Sequence, residues 1–103
     1  MKYVVRASIK AERHLRSFKA RQQRIIQTGI EKLITEPTNL SKSVKKLRPN
    51  PIAQYEIRIG EFRALYNVDE AAKVVTVLLI GEKRGNELFV EGKVFDAHKS
   101  DSD

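Results

Sequence analysis

Between Val74 and Ile80 the chain reads Val-Val-Thr-Val-Leu-Leu-Ile, with Thr76 as its one polar residue. Successive side chains of a strand point to opposite faces, so a nearly continuous apolar run is stable only where both faces are covered. This segment is therefore the middle of a sheet with helices against one side, and the rest of the chain must be arranged around it. Residues 54–60 and 62–69 read as two preceding strands joined by Gly60-Glu61, and Asp69-Glu70-Ala71-Ala72 turns the second into the third, at 73–81.

The N-terminal part has a different period. Lys2 to Ala7 reads as a strand, since Tyr3, Val4 and Val5 are good strand formers. Ser8 is a suitable N-cap for a helix from Ile9. Leu15 and Phe18, then Ile26, Ile30, Leu33 and Ile34, fall at helical spacing, which predicts a helix over 9–18, a bend, and a second helix over 20–35. A single long helix is the competing reading, because neither Pro nor Gly marks the bend. Pro37 closes the helical part, and residues 37–53 form a linker with Pro37, Pro49 and Pro51. Beyond Asn86, Glu-Leu-Phe-Val, Glu91-Gly92 and Lys-Val-Phe predict a small hairpin, with a short helix as the alternative, and the polar stretch Asp96 to Asp103 is expected to fray. The order β-α-α-β-β-β predicts one α+β domain over residues 1–103, an antiparallel sheet with an N-terminal helical pair packed on one face.

Composition narrows the chemistry. The 103 residues contain no cysteine, which excludes disulfides and Cys-based metal sites. Two distant histidines and the absence of a phosphate-loop glycine spacing argue against a metal or nucleotide cofactor, so none is expected. No apolar run reaches the length of a membrane span and the N-terminus is no signal peptide, which fits a cytoplasmic protein with no membrane partner. Charge is uneven: residues 1–63 carry 15 Lys/Arg against 5 Asp/Glu, a net of +10, whereas residues 64–103 carry 5 against 8, a net of −3. A basic body predicts nucleic acid or an acidic protein as partner. Arg58, Arg63, Lys83 and Arg84 recur along the three strands, as a polyanion site requires. His14, between Arg13 and Arg16, reads as a surface residue, and Tyr66 as core with its hydroxyl bonded locally.

The run Ile57-Arg58-Ile59-Gly60-Glu61-Phe62-Arg63-Ala64-Leu65-Tyr66 resembles a strand-turn-strand pattern of the RelE/ParE toxins of bacterial toxin–antitoxin pairs: arginine, hydrophobic, glycine, any residue, aromatic, arginine, two hydrophobics, tyrosine. Val44-Lys45-Lys46-Leu47 resembles the segment that precedes it there, and Leu79-Ile80-Gly81-Glu82-Lys83-Arg84 the glycine-then-basic exit of the last core strand. The resemblance extends from the first strand to Phe89. It implies a RelE-like toxin that inhibits translation by metal-independent cleavage of ribosome-bound messenger RNA, with ribosome, mRNA and a cognate antitoxin as partners. The alternative it leaves open is a ParE-like gyrase inhibitor, or a catalytically lapsed toxin fold that acts by binding.

Metal-free RNA cleavage needs a base for the 2′-hydroxyl, positive charge at the phosphorane and an acid for the leaving 5′-oxygen. By the resemblance Arg63 is the first candidate for the charge, with Lys83 and Arg84 next, while Lys45, Lys46, Arg48 and Arg58 would hold the RNA backbone. Phe89 stands where ribonuclease members carry Tyr or His. It can stack on a base but cannot move a proton, which leaves His98 as the candidate acid or base.

Overall fold

The computed structural model describes residues 2–95. Its elements follow one another as β1 (Val4–Ala7), α1 (Ile9–Arg16), α2 (Ala20–Ile30), a 3₁₀ turn (Glu31–Ile34), β2 (Val44–Lys46), β3 (Tyr55–Ile59), β4 (Phe62–Asp69), β5 (Val74–Arg84), β6 (Glu87–Val90) and β7 (Lys93–Phe95). Ser8 caps α1 as its sequence suggests, its Oγ accepting the Ala11 amide at 3.0 Å. The helical part is two helices rather than one. Ser17 ends α1 by donating its hydroxyl to the His14 carbonyl at 2.6 Å, and Gln22 opens α2 by accepting the Lys19 amide at 3.0 Å. The second helix is shorter than its apolar spacing predicts, because its last turn tightens to 3₁₀ at Glu31.

All seven strands of the described residues join one sheet, in the order β2-β3-β4-β5-β6-β7, with β1 also on β5. The apolar strand is central, as predicted. Along one edge β5 pairs antiparallel with β4 from Val74 to Glu82. Its other edge is shared: β1 pairs over Val74–Val77 and β6 over Glu82–Arg84. The β1 pairing is parallel, which the expectation of an antiparallel sheet did not include. Two helices lie between β1 and the later strands, so the chain returns along the same direction. Two further details differ from the sequence reading, and a third, the C-terminal hairpin, agrees with it. The linker contains the short strand β2, whose Lys45 lies opposite Glu56. Strand β5 runs on past Gly81 to Arg84, since Gly81 pairs with Arg63 and Glu82 with Phe62. The C-terminal segment is the hairpin β6–β7, turning at Glu91 (φ 52°) and Gly92 (φ 81°), a left-handed pair that matches strand twist.

The sheet buries its two faces unequally. Under the helices lies the main core: Ala11, Ile26 and Leu33 against Ile57, Ala64, Tyr66, Val75, Val77 and Ile80. Gly29 sets how closely α2 approaches, because a Cβ there would lie 2.6 Å from the Ile59 side chain. Tyr66 is fully buried (0% exposed), and its hydroxyl donates to the Pro37 carbonyl at 2.6 Å. That partner lies in the linker rather than nearby in sequence, and the bond ties the linker's start to the core. The opposite face has a smaller cluster of Ala53, Leu65 and Leu79, with Leu47, Ile52, Leu78, Leu88, Val90 and Phe95 packed around it. A bulge at Leu78 separates the two sets on β5: Leu65 pairs with Leu79 and Tyr66 with Val77. The extra residue lets Val77 and Ile80 both face the helices.

Candidate functional site

Alternation along each strand assigns the charged residues to faces. Tyr55, Ile57 and Ile59 pack beneath the helices, so Glu56 and Arg58, between them, point to the open face. Phe62 and Ala64 do the same for Arg63, which pairs across the sheet with Arg58 on one side and Gly81 on the other. Ile80 faces the helices, which puts Lys83 back on the open face. There Lys83 and Glu56 line one cleft with Leu47, Leu65, Leu88 and Phe95. Lys45 joins this patch from β2, its ammonium 3.6 Å from a Glu56 carboxylate oxygen. Four neighbouring strands thus place Lys45, Arg58, Arg63 and Lys83 on the face of the sheet that carries Glu56.

Arg63 is built in rather than displayed. It is 7% exposed, and its Nη1 donates to the carbonyls of Gly60 and Phe62, both at 2.8 Å. Burial lowers its pKa below the ordinary arginine value, Arg58 adds to the lowering, and Glu56 opposes it. A guanidinium stays charged even so. Arg63 therefore clamps the β3–β4 turn and supplies a fixed positive field beneath the open face, while Arg58 and Lys45 are exposed and Lys83 half-buried.

The other sequence candidates are dispersed. Lys83 and Arg84 are adjacent in the chain but on opposite sides of the sheet. Arg84 lies on the helix side, stacked over the Phe89 ring at 4.7 Å and paired with Glu82 at 3.2 Å. Phe89 opposes Glu82 across β5 and β6, so it accompanies Arg84 in a cleft with Phe18 and Gln22. Lys46 opposes Tyr55 and points away from Lys45. Arg48 lies on the exposed loop after β2, where the Asn50 side chain accepts the Ile52 and Ala53 amides at 2.8 and 3.0 Å. His98 falls outside the described residues.

Two residues differ from their sequence reading or were missed by it. His14 is not at the surface: it is 1% exposed, and its Nδ1 accepts the Ile80 amide at 3.2 Å. The signal was present, because His14 is three residues after the core residue Ala11 and one before Leu15, on the inward stripe of α1. Glu56 was passed over as one acidic residue in a basic chain. Only the pairing of β2, β3 and β4 puts it amid cations. Among the described residues no group of His, Cys, Asp and Glu is arranged to hold a metal, and no helix is long and apolar enough to cross a membrane.

Comparison with known proteins tests the architecture. No family model matches the sequence, and neither does any curated protein. Solved structures do match. The archaeal RelE–RelB complex of Pyrococcus horikoshii contains a chain 28% identical to this one, with a TM-score of 0.66 over 82% of this chain and 98% of that one. The toxin–antitoxin complex RelBE2 of Mycobacterium tuberculosis gives 25% identity and a TM-score of 0.69 over 81% and 93%. The chain has a RelE-like toxin fold. The isolated RelE toxin of Escherichia coli, at 20% identity and a TM-score of 0.63, shares that fold over 80% of this chain and 85% of its own. The basic open face is thus carried by a RelE-like sheet.

Proposed function

We propose that this protein is a toxin of a toxin–antitoxin pair, working as one domain in the cytoplasm, that holds ribosome-bound mRNA on the open sheet face and cleaves it without a metal. One observation carries the reading: on one face of a RelE-like fold Lys45 pairs with the carboxylate of Glu56, Arg58 and Arg63 lie opposite each other on β3 and β4, and Lys83 lines the same cleft as Glu56. Cations alone would hold a phosphate. A carboxylate among them adds the group that Phe89 cannot supply, a proton acceptor.

In this mechanism Glu56 takes the proton of the 2′-hydroxyl, and the 2′-oxygen bonds to the adjacent phosphorus. The phosphorane's charge is held by Arg58 and Lys45 at the surface and by Arg63 beneath it. The bond from phosphorus to the 5′-oxygen then breaks, the Lys83 ammonium gives that oxygen a proton, and the products are a 2′,3′-cyclic phosphate and a 5′-hydroxyl. The Glu56 carboxyl later returns its proton to Lys83 through solvent. The same basic face suits an acidic antitoxin segment that folds on contact, a partner supported by the two neighbours solved as toxin–antitoxin complexes.

Expression of the chain alone, followed by mapping of mRNA ends, tests this. New ends with 5′-hydroxyls should arise within translated frames. A folded Glu56→Gln variant should lose about 10²–10⁴ in rate, the usual worth of a general base, and a folded Arg63→Ala variant about 10²–10³. A second reading, inhibition by binding to gyrase or another target, is favoured by the position of Phe89 and Arg84 away from the Glu56 cluster. Growth arrest without new mRNA ends, unaltered by Glu56→Gln, would select it.

A further inference from the structure

Strand β5 has a gap on one edge. Strand β1 leaves it after Val77, where the Ser8 amide donates to the Val77 carbonyl at 2.9 Å, and β6 joins it at Glu82. Residues 78–80 pair with no strand on that side. A buried backbone amide without a partner is costly, and the Ile80 amide is buried there. Helix α1 fills the place: His14 Nδ1 accepts the Ile80 N–H at 3.2 Å. This bond requires an imidazole with its proton on Nε2. Nε2 in turn faces the β6–β7 turn, 3.9 Å from a Glu91 carboxylate oxygen. Glu91 is itself held by Arg13, Nε to Oε2 at 3.0 Å, and sits at a left-handed φ of 52°. One side chain therefore touches the helix layer, the central strand and the turn of the hairpin.

The geometry points to His14 as a positioning residue that, only while neutral, ties the exit of β5, and with it the hairpin β6–β7 paired to that exit, to the helix layer. Protonation puts a hydrogen on Nδ1, directly against the Ile80 N–H, so the joint must open there. Lys83, Leu88 and Phe95 line the open-face cleft and lie just beyond it in β5 and the hairpin. Opening would displace that wall of the cleft while leaving β3 and β4 in place. The charged groups acting on the imidazole are Glu91 from the hairpin, which favours protonation, and Arg13 and Lys10 from its own helix, which oppose it. Strand β5 presents only the Ile80 amide to the ring nitrogens. Burial is the largest influence and lowers the pKa from the ordinary histidine value. The proposal concerns the joint itself and stands whether or not the protein cuts RNA.

Nuclear magnetic resonance of the whole chain tests it. At neutral pH the His14 ring should be the Nε2–H tautomer. Amide protection in Leu88–Val90 and Lys93–Phe95, corrected for intrinsic exchange, should fall by up to about tenfold per pH unit below about pH 6.5, the slope of one coupled proton, while Ile57 and Leu65, which exchange only on global unfolding, stay better protected than the hairpin at every pH. His14→Gln, whose amide oxygen can accept the Ile80 N–H but does not titrate, should abolish that fall. Glu91→Gln removes the carboxylate that favours protonation of the closed joint, so the fall should still begin near about pH 6.5 but continue to lower pH than in the wild type; this variant and the wild-type titration decide the matter even if His14→Gln fails to fold. Hairpin protection that does not change with pH in the wild type, an Nδ1–H tautomer at neutral pH, or an undiminished fall in folded His14→Gln would each overturn the proposal.

Discussion

The two faces of the sheet are made by the same strands and obey opposite rules. The helix side is filled by branched and aromatic residues with almost no polar atoms, and its polar exceptions are satisfied one to one: Tyr66 with the Pro37 carbonyl, His14 with the Ile80 amide. The open side closes a small apolar cluster at Leu65 and Leu79 and then stops, leaving Lys45, Glu56, Arg58 and Lys83 about it. One face answers to packing, where a methylene matters. The other answers to charge, where most side chains touch water and single contacts contribute little to stability. Strand β3 shows the contrast within five residues, since Ile57 is fully buried while its neighbours Glu56 and Arg58 face the other way.

The comparison is broken most severely by Ile57→Ala, which removes a fully buried side chain from the helix side. We expect a loss of about 2–5 kcal/mol in unfolding free energy by urea titration. An effect under 1 kcal/mol, on the order of a surface change, would mean that the helix layer is not packed as described. Next comes Tyr66→Phe, which leaves the Pro37 carbonyl without its donor and should cost about 1–3 kcal/mol. The phenol is strongly held in its protonated form, because burial, with Tyr55 adding to it, pushes its pKa up. No ionisation of Tyr66 should therefore appear in an ultraviolet titration to about pH 11.

A smaller effect comes from pH. Burial lowers the folded pKa of His14, so below about pH 6.5 the unfolded chain takes up a proton that the folded chain refuses. Stability is full above that pH and falls as pH drops toward the lowered folded value. The slope approaches about 1.4 kcal/mol per pH unit, and it should vanish in a folded His14→Gln variant measured by thermal melts across the same range. The smallest expected change sharpens the contrast from the other side. Arg58→Ala and Lys45→Ala should each alter stability by no more than about 0.5 kcal/mol while weakening binding of a single-stranded RNA probe and flattening its salt dependence. Equal loss of stability and binding would make the open face a second packing surface.

Much of this was readable beforehand because it depends on local pattern. The unbroken run from Val74 to Ile80 required a central strand, and the structure has β4 on one edge of it and β1 with β6 on the other. Ser8 as a cap, the Gly60-Glu61 turn and the hairpin at Glu91-Gly92 follow from single residues whose backbone or side-chain needs are strong. The site was only half legible. Arg58, Arg63 and Lys83 could be gathered by assuming three adjacent strands. Separating Lys83 from Arg84 requires knowing that β5 stays in register with β4 beyond Gly81, and no propensity states where pairing ends.

By itself, then, the sequence determined the order of the helices and of every strand but β2, the central strand, the basic character of the chain and its resemblance to RelE-like toxins, because each is written in periodicity, turn chemistry or composition. Tertiary structure alone decided which charges meet. It brought Glu56 into the midst of cations by pairing three strands, turned Arg84 and Phe89 to the far side, buried Arg63 as a clamp, and made His14 the acceptor for an amide 66 positions away. The physical reason is that side-chain direction along a strand is fixed by parity, whereas proximity between strands depends on register and bulges. A one-residue slip exchanges the two faces, and only the folded sheet, with its packing on both sides, sets that register.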